Sequence, residues 1–407
     1  MRGGRVAVVG GSIAGCAAAL AVTRGGADEV TVYERASGHL ADRGVGLAMH
    51  DARYAELEAA GFVDAAMPWL QMVRRRWYVR DDAAAGAGRP LGREIASMPF
   101  PFRTYNWGPL WRELSRRVPD GVDFRHGAEI EAVEVTADGA EVHAGGRTER
   151  CDVVVGADGY RSVVRAAVHP DIRPRFAGYL AWRGAYPSDR LADPELWPED
   201  ECAYVVFPGG HLIVYRIPDG TTGGHRVNWV LYTAPPPGLD RGLETPTTLH
   251  PGTAGDGLRA HLSYVAAELL PIFWADVVRS TTYDELFLQP LYDITAPRYA
   301  VDSALLVGDA ATVARPHTGG GAVKALQDAT VLQSSLTSAP DWLKALSAYD
   351  ADRAPTGRFM VDLGRSLGRA LVQDTPDWTS LDQAGLEAWW QRADGTGALG
   401  GRRLGRG

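Results

Sequence analysis

The first 34 residues constrain the fold more strongly than any other part of the sequence. Arg5 to Gly10 (RVAVVG) is nearly all apolar, as is typical of a parallel strand buried on both faces. A glycine-rich turn follows, then an alanine-rich stretch from about Ala14 to Arg24 that favours a helix. Glu29 to Glu34 (EVTVYE) has the composition of a second strand. This strand–helix–strand unit predicts an α/β fold that opens with a doubly wound parallel sheet.

Composition and charge exclude several classes of protein. The chain has 407 residues, of which 45% are hydrophobic and 23% charged, as in a globular enzyme of two packed domains. Its net charge of −8 argues against nucleic acid or an anionic membrane as a partner. No apolar run reaches membrane-spanning length, and a first strand at Arg5 leaves no room for a signal peptide. The cysteines lack metal-ligand spacing, so we expect free thiols in a reducing cytoplasm.

The sequence pattern changes between about Phe176 and Leu288. Short alternating stretches rich in aromatic and β-branched residues occur there, and this pattern predicts antiparallel strands. These stretches are Ala203–Phe207, Leu212–Ile217 and Arg226–Tyr232. The apolar-strand pattern returns at Ala304–Gly308. We therefore expect a second domain, inserted into the first, whose sheet has one polar or ligand-lined face.

The turn after the first strand has the pattern of a nucleotide site. In Val8–Gly15 (VVGGSIAG) the glycines let the backbone approach a pyrophosphate, whose charge the N-terminus of the following helix stabilises. Glu34, about twenty residues further on, is placed to accept the hydroxyls of a ribose. Ser12 replaces the middle glycine of the usual motif. The turn favours a dinucleotide, and the alternative is a glycine turn that only packs helix against strand.

Two later strands end in motifs that also suit a nucleotide site. The first of them ends in the Asp-Gly turn at Asp158, and Arg165 follows in the next helix. Ala304–Ala311 (ALLVGDAA) contains a third strand and Asp309, which is able to bond a polyhydroxy chain. The glycines at 319–321 then lead into a helix whose N-terminal N–H groups suit negative charge on a ring system. Three such signals in this order favour a nucleotide site over isolated helix caps or hinges.

Together these signals resemble the single-component (class A) flavoprotein monooxygenases of the p-hydroxybenzoate hydroxylase fold. The resemblance runs from Arg5 to about Arg358, and the chain looks most similar to the 2,6-dihydroxypyridine hydroxylase type. The stretches that carry it are Gly10–Gly15, Tyr179–Gly184, Asn228–Tyr232 and Ala314–Ala325. It implies a discontinuous Rossmann-like FAD-binding domain interleaved with a mixed or antiparallel β-sheet substrate domain. The implied ranges are 1–75, 100–175 and 289–394 for the first domain, 76–99 and 176–288 for the second, and 395–407 for a disordered tail.

The resemblance also implies roles at matching positions. The first turn would hold the FAD pyrophosphate, Glu34 the adenosine ribose and Asp309 the ribityl chain, while Asp158 would lie where FAD and NAD(P)H meet. Arg43 matches the loop that approaches the flavin and is a candidate for both binding and catalysis. Two positions depart from many relatives, since Trp107 replaces an arginine and Lys324 an asparagine. The implied cofactor-binding residues are Gly10, Ser12, Ile13, Ala14, Gly15, Glu34, Arg35, Arg43, Asp158, Asp309, Pro316, Gly319, Gly320, Gly321 and Ala322.

The chemistry implied is oxygen transfer to an electron-rich ring. In this family NADPH or NADH reduces FAD, O₂ adds to form a flavin C4a-hydroperoxide, and the oxygen passes to a small aromatic or N-heteroaromatic substrate without a metal. His317 and Tyr215 are the first candidates for catalysis, together with Arg43. The candidate substrate-binding residues are His211, Tyr215, Asn228, Trp229 and His317. Epoxidation or indole oxidation in biosynthesis, a non-catalytic FAD-binding protein, and a monomer or a homodimer all stay open.

Overall fold

The computed structural model describes residues 3–38, 40, 45–81, 89–220, 223–238, 249 and 253–395. Arg43 and residues 396–407 of the predicted tail lie outside the described residues. The helices are α1 Ile13–Arg24, α2 Asp51–Ala59, α3 Trp107–Arg117, α4 Val163–Val168, α5 Asp256–Tyr264, α6 Ile272–Arg279, α7 Gly321–Ser338, α8 Trp342–Gly368 and α9 Gln383–Asp394. The strands are β1 Arg5–Val9, β2 Glu29–Glu34, β3 Gly46–His50, β4 Leu70–Val79, β5 Arg93–Asn106, β6 Asp123–His126, β7 Ala132–Thr136, β8 Gly139–Ala144, β9 Arg147–Cys151, β10 Val153–Gly156, β11 Arg175–Pro187, β12 Glu201–Phe207, β13 Gly210–Pro218, β14 His225–Thr233, β15 Phe287–Thr295, β16 Ala300–Val301, β17 Ala304–Leu306 and β18 Thr312–Val313.

The N-terminal strand–helix–strand unit is confirmed as the centre of a six-stranded sheet. Its order is β16-β17-β10-β1-β2-β6, and all neighbouring pairs except β16–β17 are parallel. Strands β1, β10 and β17 are almost entirely buried, which accounts for their continuous apolar sequences. Helices α1 and α7 pack closely together and cover one side of this sheet. The carboxyl ends of β1, β10 and β17 therefore lie side by side at one edge.

The second sheet has nine strands in the order β18-β15-β11-β14-β13-β12-β4-β5-β3. Its neighbours are antiparallel except for the β12–β4 pair, so the sheet is mixed. It includes the strand Gly46–His50 and parts of β4, β5 and β15. The sheet thus extends beyond the ranges 76–99 and 176–288 predicted for the substrate domain. Strand β3 and parts of β4, β5 and β15, which lie outside those ranges, pair with it through backbone hydrogen bonds.

The two faces of the nine-stranded sheet have different neighbours. One face, here called the helix-covered face, packs against α5 and α6 and carries Trp182, Trp229 and Leu231. The opposite face, here called the inner face, packs against α8 and α9 and contacts His317 in the turn before α7. The inner face carries Arg75 and Trp77 of β4, Cys202, Tyr204 and Val206 of β12, His211, Ile213 and Tyr215 of β13, Asn228, Val230 and Tyr232 of β14, and Tyr179, Ala181 and Arg183 of β11. Among the described residues we find no helix with the length and apolar character needed to span a bilayer.

Candidate active site

Three turns that are distant in sequence contact one another at the carboxyl edge of the six-stranded sheet. Gly10 has a φ of +99°, and a Cβ there would lie 2.5 Å from the carbonyl oxygen of Ala157. A Cβ at Gly308 would lie 3.0 Å from the Cβ of Ala14. The turns after β1, β10 and β17 therefore form one surface, as the three sequence signals predicted.

The turn between β1 and α1 leaves the helix N-terminus open. Ser12 is the N-cap residue, but its side chain makes no capping hydrogen bond, and the first turn of α1 has no acidic residue. A Cβ at Gly15 would lie only 1.8 Å from the carbonyl oxygen of Gly10, so helix and turn are in direct contact. Ile13 and Ala14 are buried beneath this turn. Open N–H groups at the positive end of a helix dipole fit a pyrophosphate.

Glu34 is fixed beside the same turn. Its Oε2 atom accepts a hydrogen bond from the N–H of Gly11 at 2.8 Å, and its Oε1 atom accepts one from Ala36. The indole N–H of Trp111 donates to the carbonyl oxygen of Gly11 at 2.8 Å, and Trp107 stacks on Trp111. The tryptophan that replaces an arginine in many relatives thus supports the turn by packing. The exposed Arg35 follows directly on Glu34.

The Asp158 turn is tied to the Asp309 turn through one arginine. The guanidinium of Arg165 donates to the carbonyl oxygens of Asp309 at 3.4 Å and Ala310 at 2.9 Å. The Oδ2 atom of Asp158 accepts a hydrogen bond from the N–H of Val163 at 2.7 Å, and burial raises the pKa of the Asp158 carboxyl. Sequence reasoning singled out Arg165 but gave it no role, and the structure shows that it connects two of the three turns.

Asp309 lies in the short turn Gly308–Ala310 that follows β17. Protein surrounds its carboxyl and raises its pKa through desolvation, yet the side chain stays accessible to solvent. No described residue donates a hydrogen bond to it, because the nearby Lys324 ammonium binds Asp328 at 2.7 Å instead. An accessible acceptor with free lone pairs is what the hydroxyls of a ribityl chain require. These residues fit FAD.

The predicted flavin loop ends in three consecutive glycines that lead into α7. A short turn covers Pro316–Thr318, and α7 begins at Gly321, where an added Cβ would meet nothing within 4 Å. Gly319 has a φ of +62°, and Gly320 lies against Met360. Ala322 is half-buried in the first turn of α7. The N–H groups of this helix start are therefore open to a planar ring that carries negative charge.

His317 joins this loop to the inner face of the large sheet. Its Nε2 atom lies 2.7 Å from the hydroxyl oxygen of Tyr179. Its ring centroid lies 4.3 Å from that of Tyr232 and 5.3 Å from that of His211. The guanidinium of Arg315 also donates to the Tyr179 hydroxyl, at 3.5 Å. Sequence reasoning found both histidines but missed the two tyrosines, which no motif distinguishes from ordinary core aromatics.

The other predicted substrate residues divide between the two faces of the sheet. Tyr215 and Asn228 are direct cross-strand neighbours on the inner face. The Oδ1 atom of Asn228 accepts a hydrogen bond from the N–H of Gly46 at 2.8 Å, which ties the flavin-side loop to the sheet. Trp229 lies on the helix-covered face, where its indole N–H donates to the hydroxyl of Thr281. Its placement in the pocket was wrong, because neighbouring residues of a strand point to opposite faces.

The buried histidines predict a loss of stability in acid. Burial lowers the pKa of His211 to about 3 and holds the pKa of His317 well below its usual value. Both rings are neutral in the folded protein but would take up a proton near pH 6.5 when unfolded. The two neutral rings therefore contribute fully to the free energy of unfolding above about pH 6.5. Below that pH this contribution declines by about 1.4 kcal/mol per pH unit for each ring.

Urea unfolding of the wild type and of His211→Phe at several pH values measures this effect. Below about pH 6.5 we expect the free energy of unfolding to fall with pH less steeply in the variant than in the wild type. The two slopes should differ by about 1.4 kcal/mol per pH unit. Equal slopes in the two proteins would contradict the assignment of His211 as a buried neutral ring.

Comparisons with known proteins agree with this geometry. No family model matches the chain. It is 28% identical over 389 residues to 2,6-dihydroxypyridine 3-monooxygenase from Paenarthrobacter nicotinovorans, covering 90% of this chain and 91% of the relative. It is 31% identical over 389 residues to 3-amino-4-hydroxybenzoate 2-monooxygenase from Streptomyces platensis, covering 93% and 92%.

The solved structures give the same result. The structure of 2,6-dihydroxypyridine-3-hydroxylase from Arthrobacter nicotinovorans matches with a TM-score of 0.79 and 26% identity over 92% of this chain and 94% of that one. Both the fold class and the family resemblance predicted from the sequence are thereby confirmed. The chain belongs to the FAD-dependent aromatic monooxygenases, oxidoreductases that use NAD(P)H and O₂ as co-substrates.

Proposed function

We propose that the cleft between the two sheets holds FAD and that a ring substrate binds between the flavin and the inner face. The observation that carries this proposal is the position of His317. It lies in the turn Pro316–Thr318, which leads into the glycines at 319–321 and the N-terminus of α7, and its ring contacts Tyr232 of the substrate sheet. One residue thus borders both the cofactor cleft and the substrate face.

The residues of the chain hold the cofactor by complementary polar groups. The open N-terminus of α1 binds the pyrophosphate, Glu34 accepts the ribose hydroxyls, and Asp309 accepts hydrogen bonds from the ribityl chain. The start of α7 stabilises negative charge on the pyrimidine edge of the flavin. When bound, FAD takes a hydride from NAD(P)H and, with O₂, supplies the oxygen atom that enters the substrate.

His317 acts as a hydrogen-bond donor toward the cleft. Its ring is neutral, because burial depresses its pKa. Since Arg315 donates to the Tyr179 oxygen, the hydroxyl proton of Tyr179 points to Nε2 of His317. The single proton of the neutral imidazole is then on Nδ1, which has no partner among the described residues. This donor would hold an oxygen of the substrate or of the flavin.

Tyr215 supplies a second polar group beside the ring. Its side chain is half-buried, and burial raises the pKa of its hydroxyl, which therefore stays protonated at neutral pH. A protonated phenol can donate to, or accept from, a ring hydroxyl. The relatives named above act on 2,6-dihydroxypyridine and 3-amino-4-hydroxybenzoate. We propose a monocyclic hydroxylated ring of this size as the substrate.

The domain division and cellular setting belong to the same proposal. The FAD-binding domain comprises 1–75, 100–175 and 289–394, and the substrate domain 76–99 and 176–288, with the large sheet crossing their boundaries. Three buried, unpaired cysteine thiols are consistent with action in the cytoplasm. The enzyme would act as a monomer or a homodimer.

Asp309→Ala tests the cofactor assignment. The variant loses an acceptor for the ribityl hydroxyls, so we expect FAD to bind about 10- to 100-fold more weakly and to be lost on gel filtration. Asp138→Ala, which removes an exposed carboxylate in the β7–β8 turn, is the control and should keep its flavin absorbance. Equal flavin content in the two variants would argue against the ribityl role of Asp309.

The reaction itself is tested with the wild-type holoenzyme and a panel of hydroxylated pyridines, benzenes and indoles. Substrate-stimulated NAD(P)H oxidation together with an oxygenated product would support the proposal. A stable flavin spectrum with no response to any ring compound would instead indicate a FAD-binding protein without turnover.

A further inference from the structure

Two arginines on the inner face have no acidic partner. None of the inner-face residues named above is acidic, although Arg75 and Arg183 lie among them. On the opposite face of the sheet, by contrast, an arginine is paired with carboxylates. There the Nε atom of Arg76 lies 2.7 Å from Glu201, and its Nη1 atom lies 3.0 Å from Glu94. A carboxylate on the inner face, that of Asp293 on β15, is bound by Arg315 at 3.1 Å and Arg365 at 3.0 Å, so it does not neutralise Arg75 or Arg183.

The charge of Arg75 is stabilised by aromatic rings. Its guanidinium lies 4.2 Å from the ring centroid of Trp390, 5.0 Å from that of Tyr204 and 5.2 Å from that of Trp77. Stacked rings of this kind attract a cation through the negative potential of their faces. Arg75 is also almost completely buried. It thus belongs to the aromatic core beneath α9.

Arg183 has a different environment. It lies opposite Val230 on β14 and Phe287 on β15, which are both apolar. Its side chain is half-buried, its Nε atom has no hydrogen-bond acceptor, and within the described ranges no carboxylate lies at ion-pair distance. Tyr232 lies two residues along β14 from Val230 on the same face and its ring contacts His317, while Tyr215 pairs with Asn228, two residues away in the other direction. The guanidinium is therefore next to the substrate face of the proposed site.

An arginine without a counter-ion at this position is costly unless a ligand supplies the charge. The Nε–H group of Arg183 is buried without an acceptor, and the neighbouring His317 and Tyr215 are neutral and offer no counter-charge. A guanidinium offers a planar set of donors that matches the two oxygens of a carboxylate. A charge-assisted pair of this kind in a desolvated pocket orients a ring as well as holding it.

We propose that Arg183 binds the carboxylate of an aromatic ring acid, while the ring itself lies toward Tyr215 and His317. This inference rests on the proposed function, since it names the substrate class of that site. An ionised ring hydroxyl is also anionic, but it offers the guanidinium only one oxygen. The carboxylate is favoured because it uses both donors of the guanidinium edge. Arg183 thereby determines specificity for acids over neutral rings.

The test titrates the holoenzyme with matched pairs of ligands and follows the flavin absorbance. Monohydroxylated benzoates and pyridinecarboxylates are compared with their carboxamides, which have the same shape but no charge. We expect at least one acid to bind about 10-fold or more tightly than its amide. In Arg183→Gln the Kd of that acid should rise about 10- to 100-fold, while the Kd of its amide should change by less than about twofold.

The control is Arg74→Gln, which removes an arginine from the opposite face that is 52% exposed. This variant should bind the acid as the wild type does. Wild-type enzyme that binds no acid of the series more tightly than its amide would overturn the proposal. Loss of FAD from Arg183→Gln would also overturn it, by assigning the arginine to the cofactor. Failure of the proposed function is recognised separately, as wild-type protein that holds no FAD or oxygenates no ring.

Discussion

Gly15→Val yields a colourless protein whose affinity for FAD is lower by at least about 100-fold. A Cβ at this position would lie 1.8 Å from the carbonyl oxygen of Gly10, well inside any tolerated contact. Helix α1 and the turn must then separate, which removes the N–H groups that would bind the pyrophosphate. The branched valine adds two further methyl groups to the same space. Gel filtration followed by the flavin absorbance of the protein peak measures the effect.

The control separates loss of binding from loss of folding. In Gly121→Ala the new Cβ meets nothing within 4 Å, so this variant should keep both its flavin and its stability. Gly15→Val should still unfold cooperatively in urea as apoprotein, with far-ultraviolet circular dichroism close to that of the wild type. Retention of full yellow colour in Gly15→Val would show that the pyrophosphate lies elsewhere.

Asp328→Ala lowers the free energy of unfolding by about 3 to 5 kcal/mol. The carboxylate is completely buried and accepts from the Nζ atom of Lys324 at 2.7 Å, the Nε atom of Arg353 at 2.7 Å and the N–H of Gly308 at 2.8 Å. Its removal leaves the buried Lys324 without its carboxylate partner and the buried Arg353 with only the more distant, partly exposed Asp352. Such a loss is a large part of the total stability of a typical domain, about 5 to 15 kcal/mol.

Urea unfolding at neutral pH tests this prediction. Asp352→Ala is a matched control, because Asp352 lies 3.7 Å from the same Arg353 but its side chain is 30% exposed. Exposed ion pairs contribute about 1 kcal/mol or less, so we expect a small change there. If Asp328→Ala cost no more than Asp352→Ala, the buried cluster would have no special role in stability.

The turns of the FAD site could be predicted from the sequence because their requirements are local. A positive φ at Gly10 and the close contact at Gly15 admit only glycine, so these positions are visible in the sequence itself. The glycines at 319–321 predict the start of a helix, and α7 runs from Gly321 to Ser338. Both features depend on residues that are near one another in the chain.

The substrate face could not be predicted in the same way, because it depends on strand register. Asn228 and Trp229 are neighbours in sequence and both carry polar side-chain atoms, yet only Asn228 points to the inner face. Tyr179 and Tyr232 resemble ordinary core aromatics until the fold brings them against His317. Lys324, which differs from the asparagine of many relatives, proved to be half of a buried ion pair that the sequence did not indicate.

The hydrogen bond between Asn228 and Gly46 has a consequence for engineering this enzyme. Gly46 begins β3, directly after the loop that the family resemblance places beside the flavin, and an added Cβ at Gly46 would lie 2.6 Å from the Asn228 side chain. We therefore expect a substitution at Asn228 to loosen the start of β3 and to change the reactivity of the flavin together with selectivity for the substrate. Substitutions at Arg183 on β11 leave this connection intact.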